Sequence, residues 1–211
     1  MKPGTRALGV AESTVDDRCL FCGAVVRADR AVDGVGFASA TVGGLDASDA
    51  VLRLLDRLNR DDIRYLLVSG VAPAWFNLLN LDRIAAAADR PVLSISYEAS
   101  PGLAPAIERE FEGDGREKRL AAYERLPPRR RLCVNDETVF VRSVGLGDGG
   151  DVDERGSDSH GDGPTPTASV EEERVIRAYT PTGGRPEPVR VARLAARGAQ
   201  AWRAAEPDRH G

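Results

Sequence analysis

The segment from Ser69 to Asn80 carries the side chains best suited to binding a ligand. Asn77 and Asn80 have amide groups that can donate and accept hydrogen bonds. Trp75 and Phe76 offer flat rings that could stack on a nucleobase. The structural alternatives are turn or cap roles for the asparagines and a place in the crevice wall for the aromatic rings. By themselves these residue types indicate a polar crevice and leave its ligand open.

The elements around this segment predict how it is positioned. Apolar runs at Tyr65–Ser69 and Pro91–Ser96 predict two strands, and apolar residues at helical spacing predict a helix over Asn77–Ala88 between them. A right-handed crossover makes the two strands parallel. Ligands of such sheets bind beyond the carboxyl ends of the strands. We therefore expect a binding site at the edge formed by residues 69–80.

The N-terminal segment predicts a meander of three antiparallel strands, at Arg6–Val10, Cys19–Arg27 and Val32–Val42. Asp46 then predicts the start of a helix as its N-cap. The meander followed by a β-α-β unit, and then by further helices and one more strand, predicts an α/β fold with a mixed sheet flanked by helices. This order is compatible with a ribonuclease H-like sheet and with other mixed α/β folds.

The chain as a whole predicts one domain, residues 1–211, with an insert and a frayed end. Gly145–Ser169 is rich in glycine and aspartate and nearly free of apolar residues, so we expect a disordered insert. Helices are predicted at Glu171–Tyr179 and Val189–Trp202, and residues 203–211 should fray.

The composition is that of a folded soluble protein, with 42% hydrophobic and 29% charged residues. No apolar run is long enough to span a bilayer, and the N-terminus lacks the apolar core of a signal peptide, so we expect a cytoplasmic protein without a membrane partner. The net charge of −4 does not indicate nucleic-acid binding, which usually appears as a basic domain. Lys2 and Lys118 are the only lysines, and an acidic, lysine-poor surface suits a high-salt cytoplasm in which phosphate contacts are screened.

Cysteines and arginines give two further patterns. Cys19 and Cys22 form a C-x-x-C that could be redox-active or half of a zinc site. Because they lie in a strand pattern, their sulfurs should point to opposite faces, and small buried hydrophobes are the favoured interpretation. Arg190, Arg193 and Arg197 share one face of a predicted helix and could contact phosphates, with a solvated face as the alternative.

Seven segments carry a resemblance to a known family. They are Arg6–Val10, Gly23–Val26, Val42–Ser48, Ser69–Asn77, Arg90–Leu93, Val139–Gly145 and Pro186–Arg193. In this order they resemble the archaeal family described as endonuclease dU, which is related to endonuclease V. The Phe-Asn pair that ends the fourth segment and the Pro-Glu-Pro-x-Arg start of the last are the most specific.

The resemblance implies a ribonuclease H-like fold and a metal-dependent endonuclease that acts on DNA or RNA carrying a deaminated base. Such chemistry needs two or more carboxylates that converge on Mg²⁺ or Mn²⁺, which activates a water and stabilises the leaving oxygen. By resemblance, the expected catalytic and metal-binding residues are Glu12 and Asp46. The expected substrate-binding residues are Asn77, Asn80, Trp75, Arg190 and Arg193.

The chain departs from the family pattern at its carboxylates. The family's first strand ends in glycine, an apolar residue and two aspartates, whereas here Ala11 and Glu12 end the corresponding Gly-Val-Ala-Glu. Gly43 and Asn80 stand where the family has two further aspartates, and Asp46 remains. A solvated loop glutamate and an ordinary N-cap are the alternatives for the two surviving carboxylates. Two other functions therefore stay open: a catalytically weakened nucleic-acid-binding protein on the same fold, and a small-molecule or nucleotide-binding module.

Overall fold

The computed structural model describes residues 1–147 and 165–205. Within these residues one mixed sheet of seven strands carries helices on both faces. The strands are β1 (Arg6–Val15), β2 (Arg18–Arg27), β3 (Val32–Thr41), β4 (Ile63–Ser69), β5 (Val92–Ser96), β6 (Arg130–Val134) and β7 (Glu137–Val144). The helices are α1 (Ala47–Leu58), α2 (Pro73–Phe76), α3 (Leu81–Ala88), α4 (Ala104–Glu110), α5 (Gly113–Glu124), α6 (Val170–Tyr179) and α7 (Glu187–Ala205).

The strand order is β3-β2-β1-β4-β5-β7-β6. The first three strands form the antiparallel meander, and β1, β4 and β5 run parallel to one another. β7 and β6 close the far edge as antiparallel strands. The predicted meander, the β-α-β unit and the mixed α/β class are thereby confirmed. The carboxyl ends of three parallel strands meet at one edge of the sheet, where such folds bind ligands.

Side chains alternate between the two faces of the sheet and build two cores. Leu8 and Val10 pack with α1 and α3, a side that we call the α1 face. Ala7 and Ala11 pack with α6 and α7, a side that we call the α7 face. Cys19 lies in the first core and its C-x-x-C partner in the second, which confirms that the two sulfurs do not converge.

The last helix lies directly on the first strand. A Cβ atom built on Gly9 would be 2.0 Å from the carbonyl carbon of Pro188, so only glycine permits this approach. Further along, Nε2 of Gln200 donates to the carbonyl oxygens of Ser13 (3.2 Å) and Arg18 (3.3 Å). The helix therefore covers the α7 face of β1 along most of its length. No helix in the described ranges is long and apolar enough to cross a membrane.

Several element bounds differ from those predicted. β1 continues to Val15, and α3 begins only at Leu81 because the residues before it form a separate turn. α5 begins at Gly113, whereas the sequence predicts only a short helical turn at Leu120–Leu126. The basic run Arg129–Arg131, for which a loop or linker is one interpretation, leads into β6.

Parts of the predicted insert and tail lie in the described residues. At the end of the insert, the amide of Ala168 donates to the carbonyl oxygen of Arg131 (2.8 Å), and Ser169 forms a capping box at the start of α6. Residues 203–205 belong to α7. The predictions for residues 148–164 and 206–211 lie outside the described residues.

Candidate functional site

Two small side chains come together where β4 ends beside β1. Val10 pairs with Val68, so Ala11 and Ser69 are the next residues along these neighbouring parallel strands. Ala11 is 2% exposed and belongs to the core under α7. Ser69 continues the alternation of Leu67, which packs in the same core, and so lies on the α7 face. Between these two positions the edge presents a methyl group and a hydroxyl group, and neither is a carboxylate.

Glu12 lies on the opposite side of the sheet from that pair. Its Oε2 accepts a hydrogen bond from Thr14 Oγ1 (2.8 Å) and a longer one from Cys19 Sγ (3.7 Å). Burial, with a contribution from the nearby carboxylates of Glu12 and Asp46, raises the pKa of the Cys19 thiol to about 12. The protonated thiol is thus a weak donor to Glu12, which is held on the α1 face.

The carboxylate of Asp46 accepts hydrogen bonds from neighbouring residues in place of the predicted cap contact with α1. Its carboxylate accepts from the amide of Thr41 (3.1 and 3.2 Å), from Thr41 Oγ1 (3.2 Å) and from Asn77 Nδ2 (2.7 Å). Its side chain makes no hydrogen bond to α1, so the predicted side-chain capping role is wrong. Burial alone would raise the pKa of Asp46, but the hydrogen bonds from Asn77 and Thr41 outweigh it and lower that pKa.

Asn77 supplies the cap that Asp46 does not. Its side chain is fully buried, and its Oδ1 accepts from the amide of Ala47 at the first turn of α1 (2.8 Å). Its Nδ2 donates to the carbonyl oxygen of Thr41 (2.9 Å) as well as to Asp46. The amide therefore joins the end of β3, the start of α1 and the turn after β4. This network positions the site, and a direct contact of Asn77 with substrate stays a prediction.

The turn before Asn77 has an unusual backbone. Ala74, Trp75 and Phe76 have φ angles of 48°, 60° and 56°, in the left-handed region that non-glycine residues rarely adopt. Three such residues in a row persist only where the surroundings hold them. Trp75 is 55% exposed at this turn, so the residue is accessible to a stacking base.

A buried arginine that the sequence did not reveal holds this turn. Arg119 Nε donates to the carbonyl oxygen of Phe76 (3.2 Å), and its Nη2 donates to those of Gly43 and Gly44. Its guanidinium lies 3.9 Å from the centre of the Phe111 ring. Burial lowers the pKa of Arg119. The arginine sits in a charged helical segment, where no sequence signal separates it from solvated neighbours.

The other predicted site residues do not converge with Asp46. Asn80 Oδ1 accepts from the amide of Arg83 (2.9 Å) and caps α3, which is the structural alternative. Arg190 forms a bidentate pair with Glu187 (2.6 and 2.7 Å), which raises the pKa of that guanidinium. Arg193 is exposed on α7, on the other side of the sheet from Glu12.

These positions do not fit a divalent-metal site. No group of three or more His, Cys, Asp or Glu residues that could hold a metal occurs in residues 1–147 and 165–205. The carboxylates of Glu12 and Asp46 both have protein partners, and Ala11 and Ser69 offer no carboxylate at the strand edge. At the positions of Ala11 and Ser69, Mg²⁺ would find no carboxylate, although its sites in proteins use at least one.

Two cavities flank this region. One of about 460 Å³ lies at the ends of β2 and β3, with Cys19, Asp46 and Arg53 in its wall. The other, of about 240 Å³, lies beyond β4 and β5 and is lined by Arg129 and Arg142, among others. Neither of these last two arginines was a predicted site residue. The basic run was the only sequence signal for one of them.

The chain matches a family model and archaeal relatives. The model described as endonuclease dU matches residues 3–150. A UPF0215 protein of Methanopyrus kandleri is 27% identical over 205 residues, covering 94% of this chain and 92% of the relative.

Solved structures support the fold. A protein of unknown function from Archaeoglobus fulgidus has a TM-score of 0.71 at 22% identity, covering 92% of this chain and 97% of that one. An endonuclease V of Ciona intestinalis, in complex with a 24mer DNA containing an inosine followed by a ribo-adenosine, has a TM-score of 0.52 at 11% identity, covering 94% and 86%. The predicted ribonuclease H-like fold is confirmed by these likenesses. Because the family model covers well over half of its length, this chain belongs to the endonuclease dU family.

Proposed function

We propose that this protein binds nucleic acid carrying a deaminated base and does so without metal-dependent cleavage. Membership of the endonuclease dU family supports a nuclease-type nucleic-acid substrate. The likeness to an endonuclease V solved with inosine-containing DNA supports a deaminated base. The absence of cleavage is supported by Ala11 and Ser69, which follow the last β1–β4 pair, Val10 and Val68, and carry no carboxylate.

Metal-dependent hydrolysis needs carboxylates that converge on the ion. Ala11 is buried under α7, so a metal ion has neither a ligand nor space at this position. Asp46 is bound by Asn77 and Thr41 in the network that orders the neighbouring turn. The residues of the edge therefore favour recognition of a strand over hydrolysis of its backbone.

The surface offers groups suited to binding a strand. Stacking of a base on the exposed Trp75 would contribute about 1–3 kcal/mol. Arg193 and Arg197 are exposed on α7 and can contact phosphates. Arg190 is less available than predicted because Glu187 already neutralises it.

A second candidate is the metal-dependent endonuclease that the family resemblance implies, with Mg²⁺ or Mn²⁺ held by Glu12 and Asp46. The specific observation in its favour is that both carboxylates act electrostatically on the same thiol, that of Cys19. They therefore lie in one neighbourhood on the α1 face. If the protein is such an endonuclease, Glu12→Gln and Asp46→Asn abolish cleavage.

The experiment measures binding and cleavage on the same labelled strands. Duplex and single-stranded DNA and RNA carry deoxyuridine, uridine or inosine, with undamaged strands as controls, and the metal is Mg²⁺, Mn²⁺ or absent. Low and molar salt are both tested, because salt weakens phosphate contacts. Asp56→Asn, at an exposed position on α1, is the matched control for Asp46→Asn.

We expect tighter binding of deaminated strands, unchanged by Glu12→Gln, and no metal-dependent product. Cleavage that needs Mg²⁺ and disappears in Glu12→Gln but not in Asp56→Asn would replace the proposal by the second candidate. If no strand binds under any condition, nucleic acid is not the ligand, and a small-molecule or nucleotide module becomes the better account.

A further inference from the structure

The cavity beyond β4 and β5 is built from polar and aromatic side chains on the α1 face. Ser94 pairs with Arg142, and Ser96 pairs with Phe140, so these four side chains share one side of the sheet. The turn after β4, the segment 98–103 and Tyr123 of α5 complete the wall around about 240 Å³. The cavity opens at the carboxyl edge of the parallel strands, where ligands of such sheets bind.

Arg129 is fixed at this cavity by backbone oxygens. Its Nη1 donates to the carbonyl oxygen of Ser100 (2.9 Å), and its Nη2 donates to that of Glu98. The guanidinium lies over the Phe140 ring, 3.8 Å from its centre. These contacts hold the side chain in one orientation. Because the acceptors are neutral carbonyl oxygens, they do not neutralise the positive charge of the guanidinium.

Arg142 is held in a similar way. Its Nη1 donates to the carbonyl oxygen of Pro127, and its Nη2 lies 3.5 Å from the phenolic oxygen of Tyr123. Its guanidinium is 5.5 Å from the centre of the Tyr123 ring. A guanidinium has five N–H donors, and within residues 1–147 and 165–205 the hydrogen bonds of Arg142 are these two.

The two arginines give the cavity a net positive charge, since Glu98 is the one carboxylate among the described residues that line it. Their hydrogen-bond acceptors are carbonyl oxygens and a phenol, and within residues 1–147 and 165–205 neither arginine is paired with a carboxylate. Burial lowers the pKa of Arg129 and of Arg142, and the charge of the first adds to the effect on the second. Partly buried like charges are costly unless an anion accompanies them.

We propose that this cavity binds a phosphate monoester, the terminal phosphate of a nucleic-acid strand. The identity of the strand rests on the proposed function, whereas the phosphate chemistry does not. The planar forks of Arg129 and Arg142 match phosphate oxygens, and the hydroxyls of Ser94 and Ser96 add donors. A monoester carries a charge of about −1.5 to −2 and a backbone diester about −1, so the net positive charge of the cavity attracts the monoester more strongly. A walled cavity also suits the end of a strand better than a phosphate with chain on both sides.

The first experiment compares strands that differ only at their ends. We expect about tenfold tighter binding of an oligonucleotide with a terminal phosphate than of the same strand with a terminal hydroxyl. The phosphate is placed at the 5′ end in one substrate and at the 3′ end in another. Arg142→Gln should remove the preference, and Arg131→Gln, at an exposed position on β6, should keep it.

A second variant keeps both arginines, so that a loss of phosphate binding can be told apart from a loss of folding. Ser96→Asp places a carboxylate beside the two arginines, so it should fold at least as well as the natural protein and lose the terminal-phosphate preference. Inorganic phosphate should raise the melting temperature of the natural protein at constant ionic strength and leave that of Ser96→Asp unchanged. Mononucleotides are also tested as competitors of the strand. If they compete as strongly as inorganic phosphate, the cavity binds phosphate monoesters in general, and a strand end is one of them.

The outcomes separate this inference from the proposed function. Strand binding without any preference for a terminal phosphate overturns the cavity assignment and leaves the proposed function standing. A phosphate-induced rise in melting temperature that Ser96→Asp abolishes, in a protein that binds no strand, supports the cavity and overturns the proposed function. A preference that survives in both Arg142→Gln and Ser96→Asp places the phosphate elsewhere and also overturns the inference.

Discussion

Replacing Asn77 by alanine should be the most damaging single change in the network around the site. The side chain is fully buried and makes three hydrogen bonds, to the amide of Ala47, the carbonyl oxygen of Thr41 and the carboxylate of Asp46. Asn77→Ala removes all three. It also releases the turn with three left-handed residues from its anchor on β3 and α1.

The expected loss follows from the groups left without partners. An unsatisfied buried donor or acceptor costs about 1–3 kcal/mol, and Asn77→Ala strands the amide of Ala47 and one acceptor on Thr41. The free energy of unfolding should therefore fall by about 4 kcal/mol, within a range of roughly 2–6. Asn80→Ala is the matched control, because it removes only an exposed N-cap contact worth about 1 kcal/mol.

Urea denaturation of both variants measures this difference. The slope of free energy against urea should stay constant, so that the shift in midpoint reports stability. A loss of stability for Asn77→Ala that is no larger than that for Asn80→Ala would contradict this prediction, because the buried network would then contribute nothing to folding.

The stability of Asn77→Ala and that of the natural protein should respond differently to pH. The lowered pKa of Asp46 gives a contribution to stability that is present above the ordinary pKa of aspartate and is lost as pH falls through the folded-state pKa. Asn77→Ala removes one of the hydrogen bonds that lower this pKa. The gap in stability between Asn77→Ala and the natural protein should therefore narrow in acid, and a gap that widens there would contradict the assignment.

Two further predictions concern the cores. Burial raises the pKa of both Cys19 and Cys22 to about 12, whereas Cys133 is exposed, so a thiol reagent at pH 8 should titrate one thiol rapidly in the native protein and three in denaturant. A second fast native thiol would contradict that burial. Gly9→Ala should lower stability by about 3 kcal/mol, because the new Cβ would overlap the backbone at the start of α7. Gly198→Ala, which meets no atom within 4 Å, is the control in thermal melts, and equal melting temperatures would contradict the close packing.

Periodicity predicted the elements whose apolar residues repeat regularly. The meander and the β-α-β unit have such repeats, and both were predicted from them. α5 was underestimated because its buried residues include Arg119, which the pattern counts as polar. β6 was missed because only Leu132 and Val134 of its five residues are buried.

The site was harder to predict than the fold because its contacts are tertiary. Local rules made Asp46 the cap of α1, yet Asn77 makes that contact from 30 residues away. The replacement of a family aspartate at Ala11 was visible in the sequence. Its meaning depends on Ser69, which only the register of β1 against β4 brings alongside. Likewise, Arg142 shares a cavity with the basic run only because β7 pairs with both β5 and β6.

Single-turnover assays with excess protein show whether the protein binds deaminated strands without cleaving them. Strands carrying deoxyuridine or inosine are incubated with the protein and Mg²⁺ or Mn²⁺ at concentrations where binding is complete. We expect stable complexes with deaminated strands and no product beyond that formed without protein, since neither Ala11 nor Ser69 supplies a carboxylate where β4 ends beside β1. Metal-dependent cleavage that Glu12→Gln abolishes while binding persists would contradict this expectation. It would show that Glu12 takes part in the reaction from the α1 face.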